Sequence, residues 1–205
     1  MNKTILSAAL AAQTLATGCP DLKTLRSQQV VDFFDVMKLD GTWYENAYQD
    51  IGQVGASCQY MVNTEPGPLG FKQDFKCKYS MVPFILPHTY EQVYENDEYI
   101  QGRFLKYVDG QKDTLTLPTV VVDYTTDEEG NYVNLTEFTC QGTEDIVLAT
   151  ELRFQSRDKT LDDATLAAMQ ARAVELGIPA EIVYGVNIVD QSHCKSATPD
   201  AAFLQ

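Results

Sequence analysis

The chain has 205 residues, of which 44% are hydrophobic and 10% aromatic. It is long enough for one domain with a sizeable core and short for two, and its composition excludes the disordered class. A formal net charge of −14 gives a surface that repels phosphate backbones and anionic lipid headgroups. Nucleic acid and anionic membrane surfaces are therefore disfavoured as partners.

The first 18 residues have the features of a secretory signal peptide. Lys3 supplies the positive start, an apolar run extends from Ile5 to Leu15, and Ala16-Thr17-Gly18 provides small residues for cleavage. An amphipathic helix over residues 1–18, or a lipidated Cys19, are the alternatives. No later stretch reaches the roughly 20 apolar residues of a membrane-spanning helix, so we expect no integral membrane segment.

Between residues 41 and 156 the sequence contains short β segments. The clearest is Phe71 to Tyr79, where Phe, Gln, Phe, Cys and Tyr alternate with Lys or Asp. This alternation predicts a half-buried strand with one apolar and one wet face. Seven further strands are predicted at Trp43–Gln49, Cys58–Asn63, Thr89–Tyr94, Tyr99–Val108, Leu115–Tyr124, Tyr132–Thr139 and Ile146–Gln155.

Chain-reversal residues separate these segments. They are Pro66-Gly67-Pro68, Pro83, Pro87, Asn96-Asp97, Asp109-Gly110 and Glu129-Gly130-Asn131. Eight strands joined in sequence predict an antiparallel meander, which avoids exposed edges by closing on itself. The predicted fold is all-β, an eight-stranded antiparallel up-and-down β-barrel.

One C-terminal α-helix is predicted to pack on the barrel. Thr160-Leu161-Asp162-Asp163 is a variant of the capping box, and Gly177 with Pro179 ends the helix. One apolar stripe is predicted along it, formed by Leu166, Met169, Ala173 and Leu176. A last short strand is predicted at Ile182–Val189.

The chain has five cysteines, and none forms a C-x-x-C pair, so a zinc or thioredoxin-type site is not supported. In an oxidising compartment we expect two disulfides and one free thiol. Spacing alone leaves the pairing open. Asn134-Leu135-Thr136 is a glycosylation sequon, so Asn134 is predicted to face solvent.

Ordered motifs resemble the signatures of the lipocalin family, and most closely those of the branch that contains apolipoprotein D and the crustacyanins. Phe34-Asp35-Val36 followed by Gly41-Thr42-Trp43-Tyr44-Glu45 is similar to the first signature, and Val122-Asp123-Tyr124 to the second. Arg157 stands where the third signature places an Arg, and Val189-Asp190-Gln191 is similar to the end of the pattern. The resemblance covers residues 19–194, which we predict to be the lipocalin domain, with 195–205 as a C-terminal tail.

The resemblance implies the disulfides Cys19–Cys140 and Cys58–Cys194. It also implies that Trp43 plugs the closed end of the barrel while Arg157 packs across it, a cation–π contact. The residues of the structural signature are Gly41, Trp43, Asp123, Tyr124 and Arg157.

The predicted cavity residues are Phe71, Phe75, Cys77, Tyr79, Phe104, Leu117 and Arg153. The last strand is ambiguous, because alternation makes Leu148, Leu152 and Phe154 the inward set, whereas counting back from Arg157 places Glu151 and Arg153 inside. A bulge could shift the phase between its two ends. An inward Arg153 would favour a ligand with a carboxylate, such as a fatty acid.

The function predicted is secreted, extracellular binding and transport of a small hydrophobic ligand, such as a lipid, fatty acid, retinoid, carotenoid or tetrapyrrole. No catalytic or metal motif occurs, and no cofactor is expected. Two alternatives stay open: an enzyme that uses Cys77 as a cavity thiol, and a protein-binding lipocalin that grips a partner through the loops Gly52–Ser57 and Pro83–His88. The sequence also leaves a homo- or hetero-oligomer open.

Overall fold

The computed structural model describes residues 18–81, 84–97, 100–143 and 145–194, and for 80, 81 and 84–86 the backbone alone. Residues 1–17 of the predicted signal peptide and the predicted tail 195–205 lie outside this part. The barrel strands are β1 (Gly41–Gln49), β2 (Ala56–Gly67), β3 (Gly70–Met81), β4 (Phe84–Asn96), β5 (Arg103–Val108), β6 (Leu117–Thr126), β7 (Tyr132–Gly142) and β8 (Val147–Ser156).

These eight strands close into a barrel. Each is antiparallel to its neighbour in sequence, and β1 pairs with both β2 and β8, which leaves no free edge between the first and last strands. The predicted up-and-down β-barrel is therefore confirmed. The strand ends place the loops after β1, β3, β5 and β7 at one end, called here the mouth, and the chain before β1 at the closed end.

The alternation along β3 is confirmed. Phe71, Phe75 and Cys77 are at most 5% exposed and point into the barrel, whereas Lys72 lies outside. The strand obeys the simple rule because, within the described part of the chain, its main contacts are with the neighbouring strands β2 and β4 and its outer face meets water.

The apolar alternation along β8 is wrong as a guide to the barrel interior. Leu152 and Phe154 pack outside the barrel in a cluster with residues of the C-terminal helix, and Leu148 is 73% exposed. Glu151 and Arg153 point inward, as counting back from Arg157 predicts. The one-residue phase shift lies in β1 instead, between Glu45 and Ala47 opposite β8.

Three α-helices surround the described barrel: α1 (Gln28–Phe33), α2 (Asp163–Glu175) and α3 (Ala180–Tyr184). The apolar stripe predicted for α2 does face the barrel, but the helix is capped by Asp162, whose carboxylate accepts from Thr165 N at 2.8 Å, rather than by Thr160. None of the described helices is long and apolar enough to span a membrane.

The last predicted strand, Ile182–Val189, is wrong in its first half. Residues 182–184 belong to α3, which follows Pro179. The backbone oxygen of Pro179 accepts a hydrogen bond from Val183 N at 3.1 Å, and Val183 is fully buried against the barrel. Only β9 (Asn187–Ile188) is extended, and it pairs with Ala47 and Tyr48 of β1, beyond the part of β1 that pairs with β2.

One predicted turn and one predicted strand segment also need correction. Pro87, predicted as a turn residue, lies within β4 opposite Lys78. Because β5 pairs with β4 only from Gln92 onward, this part of β4 is paired on one side only, and proline is tolerated on an unpaired edge. Residues 100–102, predicted as strand, form a turn that ends at Gly102 with φ +69°. Pro83 and Tyr99 lie outside the described residues.

The closed end is sealed by side chains that the signature residues hold in place. The Arg157 guanidinium lies 3.9 Å from the centre of the Trp43 ring and donates to Thr42 O at 2.8 Å and Lys38 O at 2.9 Å. Phe34, which follows α1, stacks on Tyr132 at 5.8 Å. Asp123 accepts from Gln29 at 2.6 Å and pairs with Arg172 at 3.2 Å, which ties β6 to α1 and α2.

Two disulfides, Cys19–Cys140 and Cys58–Cys194, join the chain ends to the barrel wall. This is the pairing that the resemblance implies. They span 121 and 136 residues of sequence, long enough for a large restriction of the unfolded chain. Cys77 is the free cysteine.

Candidate ligand-binding site

The half of the barrel next to the closed end is filled by aromatic rings. Phe71 stacks on Tyr94 at 4.4 Å and meets Phe104 edge to face at 5.4 Å. All three are at most 5% exposed. Phe71 and Phe104, predicted as cavity residues, therefore lie in a packed core here.

A cluster of charged side chains crosses the middle of the barrel. It consists of Glu45, Lys106, Glu137, Glu151 and Arg153, each at most 7% exposed. Arg153 Nε lies 3.2 Å from Glu45 Oε1, and Lys106 Nζ lies 3.3 Å from Glu137 Oε1. Both cations also contact Glu151, one at each carboxylate oxygen. We call these five residues the ionic cluster.

Polar and aromatic neighbours complete the ionic cluster. Tyr94 donates from its hydroxyl to Glu137 at 3.0 Å, and Arg153 donates to Gln73 Oε1 at 3.3 Å. The Arg153 guanidinium also lies 5.3 Å from the centre of the Phe75 ring. These contacts matter because a buried charge without partners is strongly destabilising.

The three carboxyl groups of the cluster do not share one protonation behaviour. Burial raises the pKa of Glu45 to about 8, although the Arg153 charge opposes the rise. Burial also disfavours the charged form of Glu151, but Arg153 and Lys106 outweigh it and lower its pKa to about 2. At neutral pH Glu151 is ionised while Glu45 is mostly protonated.

Beyond the ionic cluster, toward the mouth, a cavity of about 450 Å³ remains. Its lining comes from the mouth ends of β4 to β8 and the residue after β1, and includes Asp50, His88, Tyr90, Gln92, Leu117 and Glu151. Tyr90 stacks on Phe75 at 5.0 Å and so joins the cavity to the packed core. The site combines two aromatic rings and aliphatic wall residues with a few polar groups, the usual make-up of a small-molecule pocket.

Of the seven predicted cavity residues, Leu117 is the one that lines this cavity. Phe75 lies one layer below it, and Tyr79 is held at the rim by a 2.8 Å hydrogen bond from its hydroxyl to Gly52 O. Arg153 lies inside the barrel but is covered by its carboxylate partners and does not line the cavity. The expectation that it would pair with a ligand carboxylate does not fit this geometry.

Sequence reasoning missed His88, Tyr90 and Gln92 on β4 and Lys106 and Glu137 below them. On β4 the missed signal is an alternation of ring and amide residues every second position from His88 to Tyr94. Lys106 and Glu137 were hidden because a charged residue within a strand ordinarily marks its solvent face.

Cys77 is a poor candidate for a catalytic thiol. Its side chain is 4% exposed, and burial raises its pKa to about 11 in spite of a hydrogen bond with Tyr79. A thiol in this state is protonated at neutral pH and is a weak nucleophile. In the described part of the chain, no group of three or more His, Cys, Asp or Glu residues is placed to hold a metal ion.

The sequon residue Asn134 is half-buried beneath α2, beside a recess of about 240 Å³ on the outer wall. Its amide donates to Thr125 Oγ1 at 2.8 Å. Glycosylation at Asn134 stays a prediction, and a glycan there would have to leave past α2.

No protein-family model matches the sequence, and no curated protein matches it. Solved structures do. Insecticyanin from the tobacco hornworm Manduca sexta superposes with a TM-score of 0.59 at 17% identity, over 84% of this chain and 85% of that one. Lobster apocrustacyanin A1 gives a TM-score of 0.54 at 12% identity, over 75% and 77% of the two chains.

The chain has the lipocalin fold. A third structure, the siderocalin Ex-FABP, agrees, with a TM-score of 0.51 at 13% identity over 74% of this chain and 93% of that one. At these identities the likeness concerns the backbone and not the lining of the cavity. The residues at the mouth of this lipocalin barrel must therefore be interpreted from their own chemistry.

Proposed function

We propose that this protein is extracellular, and that it binds and transports a small hydrophobic molecule in the mouth cavity. The observation that carries the proposal is the 450 Å³ space above the ionic cluster, within the range of small-molecule sites. Below the ionic cluster, the described rings of Phe71, Tyr94 and Phe104 pack against one another, so the ligand enters the mouth only as far as the cluster.

Two further observations support this function. The disulfides Cys19–Cys140 and Cys58–Cys194 are typical of an oxidising compartment, in agreement with a cleaved leader. Among proteins of similar fold, the siderocalin Ex-FABP is described as functioning through dual ligand specificities, and a barrel that offers a cavity at its mouth suits such a role.

The first experiment purifies the protein from its native source and combines an absorption spectrum with mass spectrometry of an organic extract. A visible band, or one apolar compound near one equivalent per chain, supports the proposal and identifies the ligand class. A clean preparation that also fails to bind retinol, a fatty acid, an alkyl alcohol and an alkyl amine in calorimetry overturns it.

Matched variants on β8 then locate the site. Ala149 lines the cavity, and the adjacent Leu148 is 73% exposed on the opposite face. Ala149→Trp should fill the cavity and abolish binding of the identified ligand, whereas Leu148→Trp should leave it unchanged. Equal loss in both variants, or retention in both, would place the ligand elsewhere.

A second candidate function is protein recognition at the mouth. Large apolar side chains are exposed there, among them Ile51 at 93%, Val54 at 67% and Ile146 at 59%, and the largely filled interior is compatible with a non-carrier. Ile51→Ser/Val54→Ser tests it: this variant should lose a protein partner captured from the native source but keep the small ligand. Loss of the small ligand alone would refute the second candidate.

A further inference from the structure

The charges around the mouth cavity determine which hydrophobic ligands it can bind. Asp50 and Glu151 line the cavity, and the described lining contains no Lys or Arg. The two cations of the interior, Lys106 and Arg153, lie behind Glu151, where carboxylates already surround them. A ligand carboxylate would therefore find no free cation and would face negative charge.

The formal charge of the region is also unbalanced. With Glu45 mostly protonated, three further acidic groups, Asp50, Glu137 and Glu151, accompany the two basic ones, Lys106 and Arg153. Lys106 and Arg153 compensate the carboxylates of the ionic cluster, as the lowered pKa of Glu151 reflects, so the unbalanced negative charge is that of Asp50 at the rim. This charge favours a positive ligand over a negative one.

Two independent features of the lining favour a hydrogen-bond donor with a positive charge. Gln92 is 7% exposed and lines the cavity, and its Oε1 is buried without a hydrogen-bond partner in the described structure. Two aromatic side chains, His88 and Tyr90, also line the cavity, with ring centres 5.3 Å apart. An ammonium group satisfies the acceptor and is attracted by aromatic rings, whereas a carboxylate does neither.

We infer that the mouth cavity selects amphiphilic amines, with the apolar body against Leu117 and the ring of Tyr90 and the ammonium group among Asp50, Gln92 and Glu151. This inference deepens the proposed function and rests on it. Hydrophobic molecules with a carboxylate are the class it rejects.

Calorimetry with three eight-carbon probes that differ in the polar group alone tests the selectivity. Octylamine should bind the wild-type protein about tenfold more tightly than octanoate, with octanol between them. Octanoate binding as tightly as octylamine would overturn the inference but leave the proposed function standing. If none of the three binds and retinol also fails, the proposed function fails together with this inference.

The fold supplies a matched pair of variants for the charge at the rim. Asp50 caps the 3-10 helix Ile51–Gln53 at the mouth, and Asp35 caps the 3-10 helix Val36–Leu39 at the closed end, each through a side-chain oxygen that Asn also offers. Asp50→Asn should weaken octylamine binding about threefold and leave octanol unchanged. Asp35→Asn should change neither, and an equal effect of the two variants would show that only the net charge of the protein matters.

Discussion

Glu45→Gln should remove a pH dependence of stability that the buried ionic cluster imposes on the wild-type protein. The Glu45 carboxyl is fully buried, and that burial raises its pKa from 4.5 to about 8. In the unfolded chain the same group titrates near its ordinary value. Between these two pH values the folded protein holds a proton that the unfolded chain has released, so the wild type loses stability as the pH rises through this window.

The size of the effect follows from the two pKa values. A difference of 3.5 between 4.5 and about 8 corresponds to at most about 5 kcal/mol lost between pH 4.5 and 8. Gln is nearly isosteric, and its side-chain oxygen can keep the place of Glu45 Oε1, 3.2 Å from Arg153 Nε, but it does not titrate. Glu151 contributes in the opposite sense, since its pKa of about 2 gives stability that is lost as the pH falls below 4.5. That contribution changes only below about pH 4.5, outside the range in which the two proteins are compared.

Urea unfolding with the disulfides intact, from about pH 5 to pH 9, measures the difference in unfolding free energy between Glu45→Gln and wild type. As the pH rises over this range, the unfolding free energy of Glu45→Gln should increase relative to that of the wild type by several kcal/mol. Glu65→Gln, at a side chain that is 73% exposed, is the control and should run parallel to wild type. Parallel curves for Glu45→Gln as well would mean that Glu45 is ionised in the native barrel, and the reasoning would be refuted.

Three further outcomes are expected. Cys77 should resist iodoacetamide in the native protein and react at once in urea, because its thiol is buried with a pKa of about 11, and Cys77→Ser should keep ligand affinity; rapid native alkylation would contradict this. Arg157→Met should cost about 2–3 kcal/mol in urea unfolding, since it loses the Trp43 contact and two backbone acceptors; a change below 1 kcal/mol would show that the closed end does not need it. Replacing Cys19 and Cys140 by Ser should lower unfolding stability by about 4–5 kcal/mol, and an unchanged urea midpoint would argue against the chain-entropy account.

The sequence predicts the barrel well where each strand has one wet face. On β3, a Lys or Asp at every second position marks the outside, so the strand and its inward set follow directly. The same rule fails on β7 and β8, because the N-terminal segment and the C-terminal helices cover their outer faces. There Phe138, Leu152 and Phe154 are buried beneath a helix while charged residues occupy the interior.

The missed helices have a common physical cause. With six and five residues, α1 and α3 are too short for a periodic apolar pattern. Both are stabilised mainly by docking one valine, Val30 and Val183, which are fully buried against the barrel. Such tertiary contacts override local propensity and leave little signal in a single sequence.

The candidate site was harder to predict than the fold, because its character depends on which charges meet in space. Glu45, Lys106 and Glu137 lie on three different strands and come together only when the barrel closes. Their pairing turns Arg153, which alone would attract a carboxylate, into part of a closed ionic cluster. No local pattern could show that the cation is already satisfied.

The ionic cluster therefore has two roles that experiments can separate. As the floor of the cavity it sets how deeply a ligand enters, and as a set of buried charges it sets the pH dependence of folding. A change in the cluster, such as Glu45→Gln, should alter stability and its pH profile. A change at the rim, such as Asp50→Asn, should alter ligand selectivity and shift the pH profile far less, because Asp50 is partly exposed, is a minor cause of the raised pKa of Glu45, and keeps its helix cap in the variant. If Asp50→Asn changed the pH profile of stability as strongly as Glu45→Gln, the rim and the ionic cluster would be strongly coupled electrostatically. Ligand selectivity could then not be changed without destabilising the barrel.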